Sequence, residues 1–333
     1  MGSHANISFF IPHLGCTHRC SFCDQRSITG QSKLPDEEEI KEAVLIAQNS
    51  KNYCPENTEI AFFGGSFTAI DRDYMLSLLK AADPFIKAGK VKGIRVSTRP
   101  DAINEEILSI LKDYGVTAIE LGAQSMDDQV LLSNKRGHTR EDVIKASKLI
   151  KEYGFSLGLQ MMTGLYKSDG NKDYYTVKEF IKIAPDTVRI YPTVVLKHTL
   201  LAKLVEDGEY LPPTLEETVK NCALYYNVFT ENGIKVIRMG LHNIKKEDYV
   251  AGPWHPAFSE LCSSHIFSQK ALKKLNTYPK GDYVILVNEK EISVAVGQKK
   301  INVELFKKCG YNCRVKGCTD IKSGDFRIEK EVR

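Results

Sequence analysis

The 333-residue chain lacks any uncharged apolar run close to the roughly 18 residues that a membrane-spanning helix needs, which argues against a membrane span. Its first residues contain neither a basic nor an apolar region, so they do not predict a secretory signal. Nine cysteines, an odd number, do not make the even disulfide framework of small secreted domains. With only 12 prolines, 42% apolar and 26% charged residues, disorder is excluded as well. We therefore expect a folded, cytoplasmic protein whose thiols serve as ligands or core residues.

The charge is almost balanced overall but unevenly distributed along the chain. The net charge is +4, yet residues 263–333 contain 15 Lys and Arg against 8 Asp and Glu, a net of +7. Residues 1–262 are therefore slightly acidic. A basic segment of this kind is either a solvated lysine-rich face or a patch for a polyanion.

Short β-branched or apolar runs alternate with amphipathic segments through most of the chain. The runs, which we expect to be strands, are 7–14, 58–63, 94–98, 118–123, 156–162, 187–195 and 234–239. The segments with helical spacing include 37–47, 74–85, 105–111, 142–150 and 177–183. This alternation predicts right-handed crossovers and a parallel sheet. Six or seven such units would form an open or closed barrel of roughly 240 residues, with its site at the carboxyl ends of the strands.

The pattern changes after Pro253-Trp254-His255-Pro256. A helix-like segment over 260–275 and a turn at 278–281 precede short strands over 283–288 and 291–296, a short helix and two more short strands. We predict two domains, an α/β barrel over 1–262 and a small basic α+β domain over 263–333.

Three cysteines follow the first predicted strand at Cys-x3-Cys-x2-Cys spacing, as Cys16, Cys20 and Cys23. A closed zinc site or an electron-transfer cluster takes four protein ligands, and no fourth cysteine lies near this loop. Three thiolates on a four-iron cluster would leave one iron open to a substrate or cosubstrate. A zinc loop or incidental thiols are the alternative interpretations.

This spacing, at the end of the first strand of a βα-repeat protein, resembles the radical S-adenosylmethionine (SAM) superfamily. The resemblance implies a partial, open parallel β/α barrel in which Cys16, Cys20 and Cys23 hold a [4Fe-4S] cluster whose open iron chelates SAM. It further implies that one electron from the reduced cluster cleaves SAM to methionine and a 5′-deoxyadenosyl radical. A reductant such as flavodoxin or ferredoxin would be a partner.

Polar residues also end the second and third strands. The second closes with Gly64-Gly65-Ser66, and adjacent glycines allow a ligand to approach the backbone closely. By the resemblance, this glycine pair binds the amino group of SAM, and Ser66 and Ser97 contact the cofactor. Ser97 ends the third strand at a position where many relatives have a glutamate.

Four further residues are cofactor ligands by the same resemblance. Arg136, twelve residues after Gln124, would pair with the carboxylate of SAM, a role suited to a planar guanidinium fork. Gln124 and Gln160 would contact the methionine or ribose part, and Phe22 would pack on adenine. Gln160 stands where one branch of the family has an aspartate.

The strand-end motifs together resemble two branches of the superfamily, the catalytic subunit of Elongator and oxygen-independent coproporphyrinogen oxidase, over roughly residues 5–260. Arg99-Pro100-Asp101 and the stretch from Gln124 to Asp128 favour the Elongator branch. A length of 333 residues leaves no room for the acetyltransferase domain of Elongator, so we do not expect its acetyl-CoA-dependent carboxymethylation chemistry.

The basic C-terminal segment contains the loop Gly297-Gln-Lys-Lys300 before an amphipathic helix. It resembles the KH module, whose GXXG loop clamps a nucleic-acid backbone, although the second glycine is missing here. Gly297, Lys299 and Lys300 are therefore candidate RNA contacts. Nearby, Cys309, Cys313 and Cys318 either bind a second metal group or serve as ordinary core thiols.

The leading hypothesis is a radical SAM enzyme that modifies tRNA or ribosomal RNA. The first alternative is a radical SAM enzyme for a small molecule such as a porphyrin-like tetrapyrrole. The second is a non-catalytic iron–sulfur protein that binds RNA.

Overall fold

A computed structural model describes residues 4–11, 14–16, 19–24, 34–241 and 244–331. The chain divides into two compact units, Met1–Pro213 with Phe229–Pro253, and Thr214–Val228 with Trp254–Arg333. This division differs from the boundary expected at 262/263. The segment 254–262 belongs to the second unit because it leads into a helix of that unit, and residues 214–228 join it from far upstream.

The first unit contains a seven-stranded parallel sheet, curled into a half-barrel, with strand order β1-β2-β3-β4-β5-β6-β8. Its strands are β1 (Ala5–Ile11), β2 (Thr58–Gly64), β3 (Gly93–Thr98), β4 (Val116–Gln124), β5 (Ser156–Thr163), β6 (Thr187–Pro192) and β8 (Lys235–Met239). Each matches a strand predicted from the sequence. The run expected over 187–195 ends earlier, because β7 (Val195–Leu196) leaves the sheet to pair antiparallel with β9 (Tyr249–Ala251).

Helices connect successive strands of this sheet. They are α1 (Glu37–Gln48), α2 (Arg72–Lys87), α3 (Glu105–Asp113), α4 (Asp128–Ser133), α5 (Arg140–Glu152), α6 (Gly170–Ile183), α7 (Leu200–Glu206) and α8 (Leu215–Glu231). Capping boxes start three of them: Asp36 with Glu39 at α1, Thr139 with Asp142 at α5, and Thr214 with Glu217 at α8. Each satisfies backbone N–H groups that the first turn would otherwise leave unpaired.

The sheet is buried most completely at its centre. All six residues of β3 are buried, and in β4 only Thr117 is partly exposed. Continuous burial is typical of parallel strands whose two faces are both covered. The carboxyl ends of these strands therefore form a fixed edge on which the following loops are carried.

The second unit is a small α+β domain. Its elements from residue 254 onward are α9 (Phe258–Leu275), β10 (Gly281–Val287), α10 (Ile292–Val296), α11 (Ile301–Lys308), β11 (Tyr311–Gly317) and β12 (Phe326–Lys330). In its sheet β10 lies between a parallel β11 and an antiparallel β12. The strand expected over 291–296 is wrong, because Ile292–Val296 form a short helix with Ala295 in the core and Ile292 exposed.

Within the described part of the chain, no helix is long and apolar enough to cross a membrane.

Candidate functional site

The candidate site is a cavity at the carboxyl ends of β2 to β5, next to the cysteine loop that follows β1. The sequence-predicted residues that line it are Cys16, Cys20, Phe22, Cys23, Gly64, Gly65, Ser66, Ser97, Gln124, Arg136 and Gln160. The fold thus brings every predicted cluster and SAM residue to one place. Thr98, Arg99 and Gly122 also line the cavity, although the sequence analysis did not single them out as cofactor ligands.

All three cysteines of the loop line this cavity. Among the described residues, no three His, Cys, Asp or Glu side chains are arranged to hold a single metal ion. A cubane cluster differs from a single ion because each thiolate binds a different iron atom, so its ligands lie farther apart. Three thiols from one loop beside one cavity are the donor set that a three-cysteine cluster takes.

The electrostatics of Cys16 and Cys23 favour their protonated forms. Burial first, and then the neighbouring Cys20 and Cys16, raise the pKa of Cys23 to about 12, against a smaller lowering by Arg136. Burial followed by the charge of Cys20 likewise raises the pKa of Cys16. Arg136 donates from Nη1 to Sγ of Cys20 at 2.9 Å. A metal must therefore displace protons to bind here.

The glycine pair at the end of β2 supports the cysteine loop by close backbone contact. Gly65 N–H donates to the carbonyl of Ile11 at 2.7 Å, and Ser66 N–H donates to the carbonyl of Leu14 at 3.0 Å. A Cβ atom on Gly65 would lie 2.2 Å from that Leu14 oxygen, closer than atoms can approach. Glycine is therefore required at this position by the packing of the loop itself.

Ser21, between the second and third cysteines, is fully buried and fastened by distant parts of the chain. Its N–H donates to the backbone carbonyl of Asn134, and its hydroxyl donates to Oδ1 of Asn134 at 2.6 Å. Leu201 N–H donates to the Ser21 carbonyl at 2.9 Å. The Asn134 amide also donates to the carbonyls of Val130 and Tyr166. Asn134 therefore fixes the cysteine loop to the first unit.

Substituting Asn134→Ala should loosen that loop. Buried partners would lose their hydrogen bonds, and we expect a loss of about 1–3 kcal/mol in stability together with faster iron release from the reconstituted protein. Chemical unfolding and iron transfer to a chelator measure the two effects. Leu132→Ala, a control at a side chain that is 81% exposed in the same segment, should change neither. Equal iron release from both variants would contradict a positioning role for Asn134.

Three polar atoms of residues that line this cavity are buried without a hydrogen-bond partner among the described residues. They are Oγ of Ser66, Oε1 of Gln124 and Nε of Arg136. Gln124 also has a φ of 66°, in the left-handed region, where β4 shifts its register against β5. Buried polar atoms without partners and strained backbone both cost free energy and cluster at ligand sites. Both observations fit a polar cofactor between these side chains.

Arg136 and Phe22 form the wall nearest the cysteines. The Arg136 guanidinium lies 5.9 Å from the centre of the Phe22 ring, and its Nη2 donates to the Gly122 carbonyl. Phe22 packs against the apolar cluster of Val130, Met162 and Leu165. The cavity thus has an aromatic and apolar side beside a buried cation, as a molecule containing both an adenine ring and a carboxylate would require.

Gln160 connects the cavity with a buried ion network that sequence reasoning missed. Its Nε2 donates to Glu120 at 3.0 Å and lies 3.4 Å from Ser97 Oγ. Glu120, 1% exposed, binds Arg189 at 2.6 Å and Arg95 at 3.3 Å. The sequence signal that could have indicated this network is Glu120, a charged residue in the middle of the otherwise mostly apolar strand β4.

The candidate RNA-binding loop lies in the second unit, between α10 and α11. Gly297 is buried with a φ of 74°, whereas Lys299 and Lys300 are exposed and both have left-handed backbone conformations. The Asn302 amide holds the base of the loop by donating to Ser264 and to the carbonyls of Val294 and Ala295. The loop therefore presents two lysines from a firmly anchored turn.

The three cysteines near the C-terminus differ in burial. Cys313 is 3% exposed in the core of the second unit, where burial raises its pKa to about 11. Cys309 packs against that core, and Cys318 follows β11. Among the described residues, these three cysteines do not form a group that could hold a metal ion.

Two family models match the chain. The radical SAM superfamily matches residues 10–174, and the radical SAM C-terminal domain matches residues 185–266. A tRNA uridine(34) acetyltransferase of Methanocaldococcus jannaschii is 32% identical over 196 residues, 53% of this chain and 36% of that protein. The heme chaperone HemW of Bacillus subtilis is 26% identical over 206 residues, 61% of this chain and 54% of HemW. The matched part of this chain thus covers about a third of the length of the first relative and just over half of the length of the second.

The fold has a solved counterpart in Elp3 of the archaeon Methanocaldococcus infernus, with a TM-score of 0.66. That likeness covers 84% of this chain and 65% of the Elp3 chain at 20% identity, so it is evidence for the fold alone. The half-barrel and the two domain matches agree over most of the chain. The chain therefore belongs to the radical SAM superfamily, whose enzymes use a [4Fe-4S] cluster and SAM.

Proposed function

We propose that this radical SAM enzyme modifies RNA, with Cys16, Cys20 and Cys23 holding the cluster and the surrounding cavity holding SAM. When bound, the cluster and SAM supply a 5′-deoxyadenosyl radical. The rest of the chemistry is orientation and exclusion of water by the chain itself. The convergence of the predicted ligands on one cavity carries the cofactor part of this proposal.

Each side of the cavity has a separate task in binding SAM. Arg136 would pair with the carboxylate, for which its unpartnered Nε is available, and the Gly64-Gly65 backbone would receive the amino group. Gln124 would contact the methionine or ribose part through its unpartnered oxygen. The apolar cluster behind Phe22 would keep water from the adenine side.

Gln160, Ser66 and Ser97 supply further polar contacts for SAM in this arrangement. The Gln160 amide donates to Glu120, so its carbonyl oxygen remains to accept a hydrogen bond from a ribose hydroxyl. Ser97, next to it, and Ser66, at the glycine turn, complete the polar lining.

The loop from Gly297 to Lys300 carries the RNA part of the proposal. It joins two helices that lie in sequence between the parallel strands β10 and β11, and it resembles the GXXG loop with which a KH module clamps a nucleic-acid backbone. The exposed lysines would meet phosphates, and the net +7 of residues 263–333 adds a favourable field. A relative named for tRNA supports the same substrate class. A flavodoxin or ferredoxin would supply the electron.

Replacing Lys299 and Lys300 with Glu should weaken the binding of total tRNA. Because each lost phosphate contact removes about 0.7 to 0.9 from the salt slope, the log-log dependence should flatten by roughly one to two units. A filter-binding series at increasing salt measures both quantities. Lys145→Glu with Lys148→Glu, on exposed side chains of α5, is the control with the same change of charge. If both double variants behave alike, the loop does not contact RNA.

A tetrapyrrole substrate is the second candidate, favoured by the similarity to a heme chaperone. It predicts saturable porphyrin binding by the reconstituted protein and no salt-dependent binding of tRNA. Comparing RNA nucleosides by mass spectrometry between a deletion strain and its parent decides between the two substrates.

A further inference from the structure

Two arginines stand side by side on the last two strands of the half-barrel. Arg189 in β6 and Arg238 in β8 are direct partners in the parallel ladder, so their side chains leave the same face of the sheet. Like charges in this relation destabilise a sheet unless something compensates them. β8 is the last strand in the order of this sheet, which places the pair at its edge.

Only one of the two arginines is neutralised. Arg189 makes two contacts with Glu120, at 2.6 and 2.8 Å, and lies 5.1 Å from the centre of the Phe63 ring. For Arg238, the contact seen among the described residues is a hydrogen bond from Nε to the Gly240 carbonyl at 3.2 Å, with no carboxylate within salt-bridge distance. Its remaining N–H groups are available to a ligand.

The surroundings of Arg238 are partly dry and positively charged. Burial, followed by repulsion from Arg189, lowers the pKa of Arg238 although Tyr191 and Glu120 oppose the change. Burial raises the pKa of Tyr191, and the charges of Arg189 and Arg238 act against that rise. Two buried carboxylates, on Glu59 and Glu120, form ion pairs with Arg95 and Arg189. Arg238 adds a third guanidinium beside Arg189, and no carboxylate of the described residues lies within salt-bridge distance of it.

These arginines adjoin the SAM cavity through two contacts. Tyr191 packs on the same apolar cluster as Phe22, which lines the cavity. Gln160, another lining residue, donates to the Glu120 carboxylate that binds Arg189. An anion held by Arg238 would therefore lie beside the place where the radical is generated.

We propose that Arg238, backed by Arg189 and Tyr191, binds an oxyanion of the substrate at this edge of the half-barrel. A planar guanidinium with free N–H groups suits a phosphate oxygen, and the anion would give Arg238 a counter-charge. On the RNA function proposed above, the oxyanion is a phosphodiester next to the target nucleotide. Arg238 would then position the reacting part of the RNA.

The test uses the reconstituted full chain and inorganic phosphate as the probe. We expect saturable phosphate binding by calorimetry, and we expect Arg238→Gln to weaken it about tenfold. Phosphate should also protect Arg238 from phenylglyoxal, as read by peptide mass spectrometry. Arg72→Gln is the control, because Arg72 is exposed on α2 and pairs with Glu106. Since Arg238→Gln removes a like-charge neighbour, its midpoint of thermal unfolding should be no lower than that of the parent protein.

Equal phosphate affinity in the parent and Arg238→Gln proteins overturns the proposal, and so does the absence of saturable binding in the parent. If Arg238→Gln lowers the midpoint of thermal unfolding but leaves the phosphate affinity unchanged, Arg238 stabilises the fold only, and the proposal is also overturned. Total tRNA is then added as a competitor. Displacement of phosphate identifies the oxyanion as an RNA phosphate. If phosphate binding depends on Arg238 but tRNA does not bind at all, the RNA function fails and the oxyanion belongs to a small anionic substrate.

Discussion

Protein in which Cys16, Cys20 and Cys23 are all replaced by Ala should emerge from anaerobic reconstitution without a cluster. The unsubstituted chain should bind about four irons and show the broad visible absorption of sulfur-to-iron charge transfer. The triple variant should lose both, because the ligands come from one loop and no other described residue in the cavity supplies a thiolate. Iron analysis and the visible spectrum measure this outcome directly.

A matched control separates the loss of the ligands from the loss of any thiol. Cys54 is partly exposed and its Sγ contacts Glu56, away from the cavity, so Cys54→Ala should retain full iron content. If the triple variant keeps the absorption, the cluster lies elsewhere. The cysteines 309, 313 and 318 would then be the next ligands to remove.

Arg136→Ala should weaken SAM binding by about 2–5 kcal/mol, or roughly 30-fold to several thousand-fold, if Arg136 pairs with the carboxylate. The size of the effect follows from the burial of Arg136, which is 8% exposed, because a carboxylate left unpaired there would have lost its water without gaining a partner. Calorimetry with SAM measures the affinity. Preparations of equal iron content must be compared, because Arg136 also donates to Cys20.

Two variants sharpen the interpretation of that result. Arg136→Lys keeps the charge but loses the planar fork, so it should recover only part of the affinity. Arg140→Ala removes an arginine that is bonded to Tyr175 on the outside of α5, and SAM binding should be unchanged. An unchanged dissociation constant in Arg136→Ala would mean that another residue binds the carboxylate.

It was predictable from the sequence that the site residues lie close together, because the alternation of strands and helices was clear. Residues that end parallel strands meet at one edge whatever their distance in sequence, so Gly65, Gln124 and Gln160 could be placed together with the cysteines. The cofactors came from the cysteine spacing, through the resemblance to the family.

The partners of buried charges could not be predicted in the same way. A glutamate within β4 shows that something must neutralise it, but no periodicity indicates that Arg95 and Arg189 do so. Similarly, nothing in the run around Ser21 indicates that Asn134 and Leu201 hold it. Contacts of this kind depend on side-chain direction across several strands, which sequence spacing alone does not determine.

The fastening of Ser21 also has a consequence for the order of events during protein synthesis. The cysteines leave the ribosome well before Asn134 and Leu201, the residues that fix their loop. Contacts between residues so far apart in sequence form late, because the intervening chain must first be made and folded. The nascent chain therefore carries its three thiols unfastened until Leu201 has emerged. If iron and sulfide are delivered after Leu201 has emerged, they bind to a cysteine loop that is already held in place.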